Sequence, residues 1–171
     1  MRAGNSMQLI LSVRAILEDD EHRQAVNLIR SGDLLRALDD PQFRKYIYRR
    51  LHRMPTGDVP QKLRDLMDAA TTLGNFFELI GGMMRRGVAS GDIFLPNYWW
   101  VVIGNWDRME SWIAMMREYA QSDGLYVDFE YLTVLCRKWG EDHPDSYAHG
   151  HPRIQITNPH PLAQEPWLKE Q

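Results

Sequence analysis

The chain has 171 residues and a mass of 20.0 kDa, with 44% hydrophobic and 25% charged residues, which is the profile of one ordinary globular domain and not of a disordered or fibrous chain. Its single cysteine, Cys136, excludes an intramolecular disulfide and any multi-cysteine zinc or iron–sulfur centre. A net charge of −3, with a sequence pI near 6.1, excludes a globally basic nucleic-acid binder.

The first amphipathic stripe is Leu9, Val13, Ile16 and Leu17, at the i, i+4, i+7, i+8 spacing of one helix face. Glu18-Asp19-Asp20-Glu21 supplies acids and caps for a second helix through Ala25, Leu28 and Ile29 to Gly32. Asp33 caps a short turn carrying Leu34, Leu35 and Leu38. Asp39-Asp40-Pro41 is a strong helix start, an Asp cap followed by proline at the first helical position. The helix it opens presents Phe43, Ile47 and Leu51 on one face and Lys45, Arg49, Arg50 and Arg53 on the other, with Arg44 off that face. Pro55-Thr56-Gly57-Asp58 is a loop, and Pro60 begins a long stripe from Leu63 through Leu66, Leu73, Phe77 and Ile80 to Gly87. Ser90-Gly91-Asp92 reopens the chain, and Pro96 marks the neighbourhood of the next helical start. Trp99, Trp100, Ile103, Met109, Trp112, Ile113 and Met116 then follow a helical period. After the Ser122-Asp123-Gly124 turn, a last helix carries Leu125, Phe129, Leu132, Leu135, Cys136 and Trp139 and is expected to stop before Gly140.

The predicted fold is therefore all-α. Residues 1–140 form a bundle of about six helices, and residues 141–171 form an extended tail with five of the nine prolines and four of the six histidines. The expected core contains Leu63, Leu66, Leu73, Phe77, Ile80, Trp106, Ile113, Phe129 and Leu132. The most apolar N-terminal stretch, Met7 to Leu17, is interrupted by Arg14 and falls short of the ~20 apolar residues of a spanning helix. A cytoplasmic protein without a membrane span is expected.

Charge is unevenly divided. Residues 1–86 hold 14 Lys/Arg against 11 Asp/Glu, whereas residues 87–171 hold 6 against 12. The basic excess sits on the helix near residues 42–54, so Lys45, Arg49, Arg50 and Arg53 form a candidate surface for nucleic acid or anionic headgroups, or a solvated face answering the acidic half.

Several short patterns accumulate over residues 73–132: Leu73-Gly74-Asn75-Phe76-Phe77-Glu78, Arg86-Gly87-Val88 with Asp92, Trp106, Ile113 with Arg117, and Phe129-Glu130-Tyr131-Leu132. Together with the segment Asp20–Ala25 they resemble an uncharacterised bacterial all-helical family known only as a domain of unknown function, over about residues 18–139. Many members of that family carry a preceding transmembrane helix. The resemblance implies a small helical module and no reaction, so it assigns no catalytic residue and no cofactor.

Candidate sites follow from residue chemistry. Glu78 borders an apolar stripe and needs a cation or a place at the bundle edge, with Arg117 as its first partner. Trp99 and Trp100 diverge by about 100° on a helix, so one of them is expected to reach an interface. A pocket of Trp99, Trp106, Phe77 and Glu78 would make the protein a small-ligand receptor or enzyme. His149 and His151 are weak metal-ligand candidates in the tail, and Asp19-x-x-His22 reads as a helix cap rather than a metal motif. The leading expectation is a non-catalytic binding or regulatory module acting through protein–protein contact, self-association as a homodimer included.

Overall fold

The computed structural model describes residue 11, residues 13–16 and residues 19–144. Residues 13–16 are helical, and six further helices follow: α1 (Asp20–Arg30), α2 (Asp33–Leu38), α3 (Pro41–Leu51), α4 (Gln61–Arg85), α5 (Gly91–Ala120) and α6 (Val127–Asp142). No strand occurs among the described residues. The all-α reading holds.

The helix starts are those the caps dictate. The Asp19 carboxylate accepts hydrogen bonds from the Glu21 and His22 amides, 3.0 and 3.3 Å away, and opens α1. Asp40 accepts from the Gln42 amide at 2.8 Å, with Pro41 in the first turn of α3. Ser90 caps α5 through the Asp92 amide at 3.2 Å. This start lies five residues before Pro96, which the helix contains. Near the N-terminus a proline removes one intrahelical donor, and the Asn97 side chain adds a bond to the Ile93 carbonyl at 2.7 Å.

Packing centres on α4, α5 and α6. Phe77 stacks on Phe129, with ring centroids 4.8 Å apart, and Trp106 meets the same ring edge-on at 5.0 Å. All nine residues expected in the core are buried. The close approach of α4 to α6 depends on Gly81, where a Cβ would lie 1.9 Å from the Asp128 carbonyl oxygen. Gly140 does not end α6, as the sequence suggested. It lies within the helix, and its missing side chain leaves room for the Trp99 ring, which would stand 2.8 Å from a Cβ there. α1 lies against α4 and α5 and provides one wall of the groove described next.

Candidate functional site

Four residues of the patterns noted in the sequence, Glu78, Arg117, Phe129 and Glu130, meet at the start of α6. Tyr126, the residue before α6, makes no side-chain cap. The cap comes from α4: Glu78 accepts the Phe129 amide at 2.8 Å. Burial pushes the Glu78 carboxyl above its ordinary range, and the Phe129 amide opposes that. Arg117 does not pair with Glu78, contrary to the sequence expectation. Its Nη2 reaches Glu130 at 2.7 Å and its Nε donates to the Leu125 carbonyl at 2.8 Å, so it ties α5 to the loop and first turn of α6. The physical reason is that the α6 amides already occupy Glu78, while Glu130 projects from the same turn toward α5. Arg85 completes the cluster by pairing with the buried Asp128 at 2.6 Å. These residues form a clamp among three helices.

The expected pocket of Trp99, Trp106, Phe77 and Glu78 is not assembled. Trp106 is buried against Phe129, Trp99 lies over the end of α6 beside Trp139, and Glu78 faces the α6 amides. Trp100 is the divergent partner of Trp99 and is 48% exposed, so one indole does reach the surface. The basic face of α3 is partly neutralised, since Arg50 pairs with Asp68 of α4 at 2.7 Å and bonds the Tyr46 hydroxyl at 2.9 Å. Lys45 and Arg53 are exposed, and Arg49 is half-buried. His149 and His151 lie outside the described residues, as do Trp167 and the tail prolines beyond Pro144. No group of three or more potential metal ligands occurs among the described residues.

A different site emerges between α1 and α5. A cavity of about 330 Å³ is lined by His22, Arg23, Val26, Asn27 and Arg30 of α1, Phe77 of α4, and Val101 and Asn105 of α5. The α1 set recurs at i, i+1, i+4, i+5 and i+8, the signature of one helix face. An outer chamber of about 550 Å³ is lined by Arg30, Trp100, Val101, Gly104, Asn105 and Arg108. Its α5 members repeat the same spacing. Arg30, Val101 and Asn105 line both chambers, so the two form one groove. Two polar side chains at its base, His22 and Asn105, are each only 3% exposed. Neither ring nitrogen of His22 has a hydrogen-bond partner in the protein. Asn105 donates to the Val101 carbonyl at 2.8 Å, but its Oδ1 accepts nothing. His22 packs edge-on against Phe76 at 4.7 Å.

Burial lowers the His22 pKa, and nearby Asp19 only partly opposes this, so the imidazole is neutral at physiological pH. A neutral ring offers one donor and one acceptor, and Asn105 Oδ1 offers a further acceptor. Buried polar groups without partners are uncommon in folded proteins, because each costs about 1–3 kcal/mol. Two residues that line one cavity, His22 and Asn105, carry such groups. Cys136 lies elsewhere, buried in the core with its thiol pushed up to about 12, which makes it inert. Sequence reasoning read His22 only as part of a cap motif and passed over Asn105. The available signal was the repeated face spacing at 22, 23, 26, 27, 30 and at 100, 101, 104, 105, 108.

Residues 5–139 match the sequence profile of the family described as a domain of unknown function (DUF4760), and the chain belongs to that family. No curated protein and no solved structure matches the chain.

Proposed function

Taking membership of this family as the starting point, we propose that the chain is a binding module that takes a small molecule in the α1–α5 groove. One observation carries the reading: His22 and Asn105 are buried with unpaired hydrogen-bonding atoms, and both residues belong to the lining of a cavity of about 330 Å³. That volume lies at the lower end of the range of small-ligand sites, which combine apolar walls with a few placed polar groups. Val26, Phe77 and Val101 supply the walls. Binding rather than catalysis fits the lining, because among the described residues His22 is its single general acid–base candidate and no nucleophile accompanies it.

The test is a thermal-shift screen of small molecules, counter-screened on the double variant His22→Phe/Asn105→Leu. Compounds that stabilise the wild type and leave the variant unmoved support the groove. A set of hits that stabilise both proteins equally would place binding elsewhere.

A second reading, protein contact or homodimer formation, is favoured by the 48% exposure of Trp100, since exposed aromatics often anchor interfaces. Sedimentation of the wild type beside Trp100→Ser addresses it. A concentration-dependent dimer lost in the variant would support self-association.

A further inference from the structure

The charge of the groove specifies more than its shape does. We infer that the groove selects a small amphipathic anion: an apolar, preferably aromatic body bearing one oxyanion group and one N–H or O–H donor. This inference rests on the groove being a ligand site.

Among the described residues no Asp or Glu lines either chamber, whereas Arg23, Arg30 and Arg108 do. Arg23 is paired with Asp20 at 2.6 Å. Arg30 and Arg108 have no carboxylate at ion-pair distance among the described residues, and Arg108 donates only to the Gly104 carbonyl of its own helix. The contrast across α1 is sharp. Another cavity, against α4, has Glu21, Asp65 and Asp68 in its lining and no arginine or lysine among its described lining residues. Two arginines flanking one chamber match the planar, forked geometry that guanidinium groups use for carboxylate, sulfonate and phosphate.

The two chambers divide the work. The inner one is lined by the apolar Val26, Phe77 and Val101 together with Asn105 and His22, whose Oδ1 and ring nitrogens are buried without partners. A ligand entering it must bring a donor for Asn105 or leave that oxygen unpaired. The outer chamber places the half-exposed Trp100 indole beside Arg30 and Arg108, a flat apolar face next to two cations. A ring held against Trp100 with its acid group between the arginines satisfies both.

The experiment compares two dyes on the full chain by fluorescence and calorimetry. 8-Anilinonaphthalene-1-sulfonate has the ring body, the N–H donor and an oxyanion; N-phenyl-1-naphthylamine has the first two and no charge. The neutral dye is the more hydrophobic, so a preference for the sulfonate must come from the arginines. The expected result is one-site binding of the sulfonate at least tenfold tighter than the neutral dye, weakening as salt rises. Arg30→Gln/Arg108→Gln should abolish that difference, and both changes fall on exposed side chains, with melting temperature as the check on folding. His22→Phe/Asn105→Leu should weaken both dyes at least tenfold. Equal binding of the two dyes in wild type, lost only in the His22/Asn105 variant, overturns the anion inference and leaves the groove as a site. Binding that is absent, or indifferent to the His22/Asn105 variant, overturns the groove itself.

Discussion

Replacing the two unpaired polar groups by apolar ones should make the protein more stable and empty it of function. His22→Phe keeps an aromatic ring in place, so the edge-on contact with Phe76 at 4.7 Å survives. It removes two ring nitrogens that have no protein partner. An unsatisfied buried polar group costs about 1–3 kcal/mol, so even the low end of that range favours the replacement. The slightly larger ring extends into a space of about 330 Å³, so no overpacking penalty offsets the gain. Asn105→Leu likewise removes an unpaired Oδ1 and exchanges a middling helix former for a good one. The Asn105 side-chain bond to the Val101 carbonyl is lost, but that oxygen already belongs to the ladder of α5. Each change should therefore stabilise by about 1 kcal/mol, and the pair by about 2 kcal/mol. Urea unfolding monitored by circular dichroism reads this as a higher midpoint at constant m-value. If His22→Phe lowered stability by more than about 1 kcal/mol, the imidazole would be a structural group, and its selection for binding would lose its basis.

Gly81→Ala should destabilise despite a helix-propensity gain of about 1 kcal/mol, because the new Cβ would stand 1.9 Å from the Asp128 carbonyl oxygen and separating α4 from α6 costs more; a melting temperature at or above wild type would show that α6 slides freely. Arg117→Ala should cost about 1–3 kcal/mol, since the side chain is 22% exposed and leaves both Leu125 O and Glu130 unpaired, while Lys45→Ala, on an exposed face, should leave the urea midpoint unmoved. Acid should expose His22: its folded pKa lies below 6.5, so its contribution is complete above pH 6.5 and is lost as pH falls from there toward the lowered value, by at most about 1.4 kcal/mol per pH unit. Asp19, the cap of α1, is the charge that acts on the ring, Arg23 and Arg30 of α1 share its cavity, and among the described residues Phe76, Phe77 and Asn105 from the facing helices are uncharged, so the stability difference between wild type and His22→Phe should shift against the wild type on acidification. Glu78 acts in the opposite sense, its raised pKa contributing stability that is present below pH 4.5 and lost as pH rises through the raised value, and Glu78→Gln should flatten that component of the profile.

Local chemistry made the helices legible. The Asp40-Pro41 and Ser90 caps work within three residues of chain, so they could be read directly, and the core followed from periodicity along α4, α5 and α6. Pairings between helices were not legible. Arg117 had Glu78 and Glu130 as carboxylates on opposite sides of it in the sequence, and only the packing of α6 decides that Glu130 turns toward it. Gly140 read as a stop because glycine ends many helices, whereas the ring of Trp99 explains its place inside one. His22 was hidden for a related reason. Its face of α1 mixes apolar, amide and cationic residues, which resembles a solvated edge until α5 is laid against it.

The clamp residues and the residues that line the groove are separate, and that separation bears on what the fold is for. Glu78, Arg117, Phe129 and Glu130 are engaged with one another's helices through an amide cap, an ion pair and ring packing, which leaves them no free valence for a ligand. Phe77 connects the two sets, since it is buried against Phe129 of the clamp and also lines the groove. A clamp that fixes α4, α5 and α6 fixes the floor and one wall of the groove. The opposite wall, α1, approaches α5 across an open cavity and meets it with unpaired polar groups. An occupant that hydrogen-bonds His22 and Asn105 would draw α1 onto α5 and gain from a wall already held in place, since preorganisation reduces the entropy lost on binding. By this logic the clamp supplies rigidity, while the side chains at 22, 30, 100, 105 and 108 set what is bound.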